Sequence, residues 1–135
     1  MRGSHRNSVG YITVFDESNR KPSEFDYIIT GDLGFEGNSI AREILSLEGL
    51  NLNNNFTDCG MMIYDCKSQD THSGGSGCGC IASVLAGHFI KLFEEKKIKN
   101  ILAIGTGALL NPNSVFAKKS IPAIAHAVHI SSEVL

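Results

Sequence analysis

Tryptophan is absent from this 135-residue chain, and proline occurs only three times. Charge of either sign is sparse too: 19% of residues are charged and the formal net charge is -2. A nucleic acid or an anionic membrane surface would need a basic excess to hold it, so neither is expected as an electrostatic partner. No apolar run reaches the length of a membrane span. No charged-then-apolar leader opens the chain, so secretion is not expected. The four cysteines, Cys59, Cys66, Cys78 and Cys80, are therefore expected to be reduced thiols rather than disulfides. With 42% hydrophobic residues, the chain has enough apolar material for one domain with a modest core.

Glycine, by contrast, is plentiful where it matters. The stretch Asp70 to His88, DTHSGGSGCGCIASVLAGH, holds four glycines in seven residues (Gly74, Gly75, Gly77 and Gly79) and then turns into a helical pattern. Ile81, Leu85, His88 and Leu92 form one row at helical spacing, with Val84, Phe89 and Phe93 beside it. This predicts a glycine loop opening a long, largely buried helix, with His88 as a hydrogen-bonded core residue. Free N–H groups at such a loop can receive an anion or cap a nearby backbone.

The rest of the chain reads as alternating strands and helices. Met1 to His5, MRGSH, looks like an appended leader. Asn7 to Lys21 fits either a strand or a helix face, through Val9, Tyr11, Ile12, Val14 and Phe15, and Pro22 breaks it. Asp26 to Thr30 predicts a buried strand of a parallel sheet. Gly31 to Gly37 is a turn carrying Asp32. Asn38 is expected to cap the next helix, with Ile40, Ile44 and Leu47 buried and Arg42, Glu43 and Ser46 in water, and Gly49 ends it. Asn51 to Asn55 reads as a polar loop and Met61 to Tyr64 as a short apolar segment between turns. Lys99 to Gly105 predicts a second strand, Asn111 to Lys119 an exposed loop, and Ile121 to Ile130 a third strand, antiparallel at the sheet edge. Strand, turn, helix is a unit of α/β architecture, in which ligands gather at the C-terminal ends of strands. Asp32 sits at such an end.

Two kinds of site are worth weighing from the residues themselves. Cys59, Cys66, His72, Cys78 and Cys80 are metal-ligand types, but their spacings are poor for a tetrahedral site, and no metal is expected. His126 and His129, three apart on a strand, point to opposite faces and do not share an ion. The N–H groups of Gly75 to Gly79 and the hydroxyls of Ser73 and Ser76 can together receive a small carboxylate, with Asp32 shaping the same crevice. The alternative, that the glycines only let helix and sheet pack closely, stays open on the sequence alone.

Five motifs in order carry a resemblance: TGDLG (Thr30 to Gly34), DCGMMIYD (Asp58 to Asp65), HSGGSGCGC (His72 to Cys80), GTGALLNP (Gly105 to Pro112) and SIPAIAHAV (Ser120 to Val128). Together they resemble the stage V sporulation protein AD family of spore-forming bacteria, whose fold is thiolase-like. The resemblance implies an α/β fold, with residues 23–135 forming part of a thiolase-like C-terminal half, a mixed sheet flanked by helices. Residues 1–22 would be an N-terminal segment, a leader followed by a helix. It implies that the chain is a fragment or truncated frame of a larger protein. It also implies that catalysis is absent. Thiolase-like enzymes place a His where this chain has Asp32 and an Asn near Ser73, and their cysteine nucleophile lies in the other half. No cofactor is implied. The implied ligand is dipicolinic acid, free or as its calcium chelate, held by Asp32, His72, Ser73, Ser76 and Cys78. The implied partners are other stage V sporulation membrane proteins, and either a second copy or a missing N-terminal half. The implied place is the periphery of the forespore or spore inner membrane, otherwise the cytoplasm. A degenerate acyltransferase acting on acyl-CoA or another acyl-thioester, and a structural subunit without ligand, are the alternatives.

Overall fold

Residues 15–75, 77–106, 112–118 and 125–133 are described by the computed structural model of the chain. The β-branched run before Asp32 forms β1 (Tyr27–Thr30), which lies at the centre of a mixed sheet ordered β2-β1-β3-β4. β2 (Phe56–Asp58) and β3 (Asn100–Ile104) flank it in parallel, in registers that set Ile28 beside both Phe56 and Leu102. β4 (Ala127–Ser131) runs antiparallel to β3 at the edge, as expected for the last strand; the first part of the expected Ile121 to Ile130 strand, Ile121 to Ile124, lies outside the described residues. The result is a mixed α/β fold with helices on both faces of the sheet.

Side chains alternate along each strand, so the sheet feeds two cores. Ile28, Phe56, Leu102 and Ile104 pack on one side with Phe15, Phe25 and Leu45. Ile29, Ile101 and Ala103 pack on the other with Cys59, Cys80, Val84, Phe89 and Ile98. Phe15 belongs to α1, of which residues 15–18 are described, and its ring lies 6.3 Å from that of Phe25. The leader and most of the ambiguous Asn7 to Lys21 stretch lie outside the described residues.

Five expectations are corrected here. β2 follows the polar loop where no strand was expected. Three residues with one large apolar side chain carry no periodicity, and the pairing with Ile28–Thr30 makes the strand. Pro112–Phe116 is a short helix, α6, rather than part of an exposed loop, and it opens on a proline, which suits a first turn.

The third correction concerns α2 (Gly34–Leu47), which begins four residues before Asn38. Its buried residues are Gly34, Asn38, Ala41 and Leu45, so Asn38 is an inner-face residue and not a cap. Ile40 and Leu47 are exposed, 47% and 82%. Arg42 is half-buried, not a solvated residue. Its guanidinium donates to the carbonyls of Leu52, Asn53 and Phe56 and lies 4.9 Å over the Phe56 ring. That clamp ties the helix to the loop leading into β2.

The fourth correction is His88. The long helix runs through α4 (Cys80–Val84), a π-helical turn (Leu85–Phe89) and α5 (Ile90–Glu94). The π turn inserts one residue, so the buried series goes Cys80, Val84, Phe89 with a step of five. His88 is thereby rotated out of the expected row and is exposed, its ring 5.1 Å from that of Phe89. Against the expectation that no apolar run reaches a membrane span, this helix, Gly77–Glu94, is long and apolar enough to cross one by length and composition. Cys80, Val84 and Phe89 nevertheless pack against the sheet.

Candidate functional site

The chain leaves β1 through α2 to reach β2 on one side, and returns through α3 (Cys59–Met62), α4 and α5 to β3 on the other. A crevice at the C-terminal ends of β1 and β3 is the consequence of that reversal. Much of its described lining is glycine backbone and short side chains.

The first four N–H groups of a helix need outside acceptors. At α2 they come from two other segments. Asp58, at the end of β2, is wholly buried, and its Oδ1 and Oδ2 accept the Leu33 and Gly34 N–H groups at 3.0 and 3.1 Å. The Thr30 hydroxyl donates to the same Oδ1 at 2.5 Å. Ser73 supplies the next two acceptors: its carbonyl takes the Phe35 N–H at 2.6 Å and its hydroxyl oxygen the Glu36 N–H at 3.4 Å. Gly34 has a φ of +71, and a Cβ there would lie 2.5 Å from the Ser73 carbonyl oxygen. Only glycine fits both demands.

Asp32 organises the other side. Its Oδ1 accepts the Gly75 N–H at 3.1 Å and its Oδ2 the Gly77 N–H at 2.8 Å. The glycine loop does hold a carboxylate, and that carboxylate belongs to the chain itself. A Cβ on Gly60 would overlap Asp32 Oδ1, and one on Gly74 would lie 2.9 Å from it, so bare backbone packs around the side chain. The Asp32 N–H donates to the Thr106 hydroxyl at 3.3 Å. Between these groups lies a cleft of about 410 Å³ lined by Gly31, Asp32, Gly77, Cys78, Ile81, Gly105 and Thr106.

Of the residues expected at a ligand, Asp32 and Cys78 line this cleft. Ser73 faces the start of α2 instead. His72 has a φ of +52 and a side chain 87% exposed, with Nε2 3.7 Å from Asp70 Oδ1. Ser76 lies outside the described residues. Two groups that the sequence did not single out are Asp58 and Thr106. Both stood inside quoted motifs, Thr106 in GTGALLNP and Asp58 at the head of DCGMMIYD, which was the available signal, but Asp58 gains its role only through β2.

Beneath the loop, Cys59 and Cys80 are both buried free thiols. Burial pushes the Cys59 thiol from an ordinary 9.0 up to about 12, and neighbouring Asp58 and Cys80 add to the rise. Such a thiol stays protonated and behaves as a small apolar side chain. Cys78 is exposed. Among the described residues, no three His, Cys, Asp or Glu side chains converge as metal ligands would.

Comparison with known families decides what kind of protein carries this cleft. The stage V sporulation protein AD family matches residues 8–131. The chain belongs to the stage V sporulation protein AD family. It is 40% identical over 114 residues to stage V sporulation protein AD of Bacillus subtilis (strain 168). That match covers 84% of this chain and 33% of the relative, so the chain spans about a third of the length of the curated relative it matches. Membership in the stage V sporulation protein AD family makes it a protein of sporulation, and every glycine and carboxylate described above falls within the matched residues.

Proposed function

We propose that the cleft at the ends of β1 and β3 binds dipicolinic acid (pyridine-2,6-dicarboxylic acid), and that the chain serves its uptake into the forespore without catalysing a reaction on it. The observation that carries this reading is the cleft itself. It opens at the reversal point of the sheet, holds about 410 Å³, and is walled by glycine backbone, Ile81, Cys78, Thr106 and Asp32. The choice of ligand rests on the family resemblance of the sequence motifs, which implies dipicolinic acid. Asp32 is the only charged residue among the described residues lining the cleft. A free dianion would be repelled by it, and a calcium chelate carries a cation that it attracts. Both forms therefore belong in the test.

Asp32 stands where thiolase-like enzymes carry a His, and its carboxylate oxygens are engaged by Gly75 and Gly77. It positions the loop and moves no proton in this reading. Ser73, where those enzymes carry an Asn, serves α2. The chain would work at the periphery of the forespore membrane beside other stage V sporulation membrane proteins. Calorimetric titration of the chain with dipicolinate, with and without equimolar calcium, tests the reading. Saturable binding in either series supports it, and no binding in both overturns it. Incubation with an acyl-CoA tests the absence of catalysis: thioester cleavage or acylation of Cys78 would favour a degenerate acyltransferase.

A further inference from the structure

We propose that Thr106 is a positioning residue of this cleft, donating its hydroxyl proton to a carboxylate of the bound ligand; this rests on the reading of the cleft as a dicarboxylate site. The cleft offers few side-chain donors. Gly31, Gly77 and Gly105 have none, Ile81 is apolar, and Asp32 as a carboxylate only accepts. Cys78 brings a thiol, a weak donor. Thr106 is the one hydroxyl among the described lining residues.

Its oxygen is fixed from two directions. It accepts the Asp32 N–H at 3.3 Å, which spends one lone pair and ties β3 to the end of β1. It also occupies the room that Gly31 leaves open, since a Cβ on Gly31 would lie 2.8 Å from Thr106 Oγ1. The hydroxyl proton has no acceptor among the described groups. An oxygen held by these two contacts, whose proton meets no acceptor among the described groups, is arranged to donate to a ligand oxygen. Ile81 on the cleft wall offers an apolar surface for the ligand's ring. Three glycines leave the backbone open enough for that ring to approach.

The test is calorimetric titration of the full chain with dipicolinate and with its calcium chelate, for wild type, Thr106→Val and Thr106→Ser, with thermal melts of each. Thr106→Val is expected to bind about tenfold or more weakly, the effect of losing a hydrogen bond to a charged group. Thr106→Ser is expected to restore wild-type affinity, which a purely structural role for the β-branched side chain would not predict. Wild-type binding with equal affinity in Thr106→Val overturns the role of Thr106 and leaves the cleft reading standing. No binding by wild type overturns both. If Thr106→Val fails to fold, the comparison of Thr106→Ala with Thr106→Ser decides in the same way.

Discussion

The Asp32 carboxylate reaches across 45 residues of chain to accept the Gly77 N–H at 2.8 Å. With the Gly75 N–H on its other oxygen, it is the anchor that holds the glycine loop at the end of β1. Asp32→Asn keeps the shape but leaves one acceptor where there were two, and turns an amide donor toward an N–H. The expected cost is about 1 to 3 kcal/mol of stability, with faster amide exchange at Gly75 and Gly77 than elsewhere in the sheet. Urea denaturation and hydrogen exchange measure these, and unchanged exchange at both glycines would refute the anchoring role.

Gly34 and Gly77 both have positive φ, +71 and +84, but their surroundings differ. A Cβ on Gly77 meets nothing within 4 Å, whereas one on Gly34 meets the Ser73 carbonyl. Gly77→Ala should therefore cost only the backbone strain, about 1 to 2 kcal/mol. Gly34→Ala should cost clearly more, because it also breaks the contact that caps α2. Denaturation midpoints of the two variants rank them, and equal midpoints would contradict the crowding at Gly34.

Arg42 links α2 to the carbonyls of Leu52, Asn53 and Phe56. A lysine has no planar fork to reach three carbonyls and stack on Phe56. Arg42→Lys is expected to lower stability by about 1 to 3 kcal/mol, although the charge is kept. A melt indistinguishable from wild type would show that the clamp is an exposed, replaceable contact.

Cys59 gives stability a pH dependence of definite sign. The unfolded chain releases this proton near 9.0 and the folded chain near 12. Between those values the unfolded state binds fewer protons, so stability falls as pH rises through that window and is unaffected by this group below it. Urea denaturation at pH 7.5 and pH 10, for wild type and Cys59→Ala, isolates the contribution. The variant should show a shallower fall, and an equal fall would assign the dependence to other groups.

Ile40 and Leu47 lie two turns apart on the outward side of α2, and both are exposed, as is Ile90 on α5. Apolar surface of this kind favours association. The chain is expected to self-associate at micromolar concentration, and Ile40→Glu with Leu47→Glu to reduce that association without loss of the fold. Sedimentation velocity over a concentration series reads both, and a wild-type monomer throughout the series would defeat the expectation.

The sequence by itself determined the strands whose apolar runs need no partner to be recognised. Tyr27–Thr30 and Asn100–Ile104 are such runs, and the α/β class follows from their alternation with helical stretches. It also marked the glycine loop as a place where free N–H groups can receive a carboxylate, with Asp32 in the same crevice, while leaving a pure packing role open. Which carboxylate that would be was a matter of tertiary structure. Gly75 and Gly77 find Asp32 only because β1 and the loop are folded together. Phe56–Asp58 becomes a strand only when it pairs with Ile28–Thr30, and only then does Asp58 arrive at the start of α2. Asn38 looked like a cap because the true acceptors, Asp58 and Ser73, are 24 and 37 residues distant from the N–H groups they serve. His88 left the core because one extra residue in a π turn rotates the helix face, an insertion that a regular period cannot register. Local pattern fixes where a chain can be strand or helix. Hydrogen-bond partners far along the chain fix where each element starts and what its polar groups face.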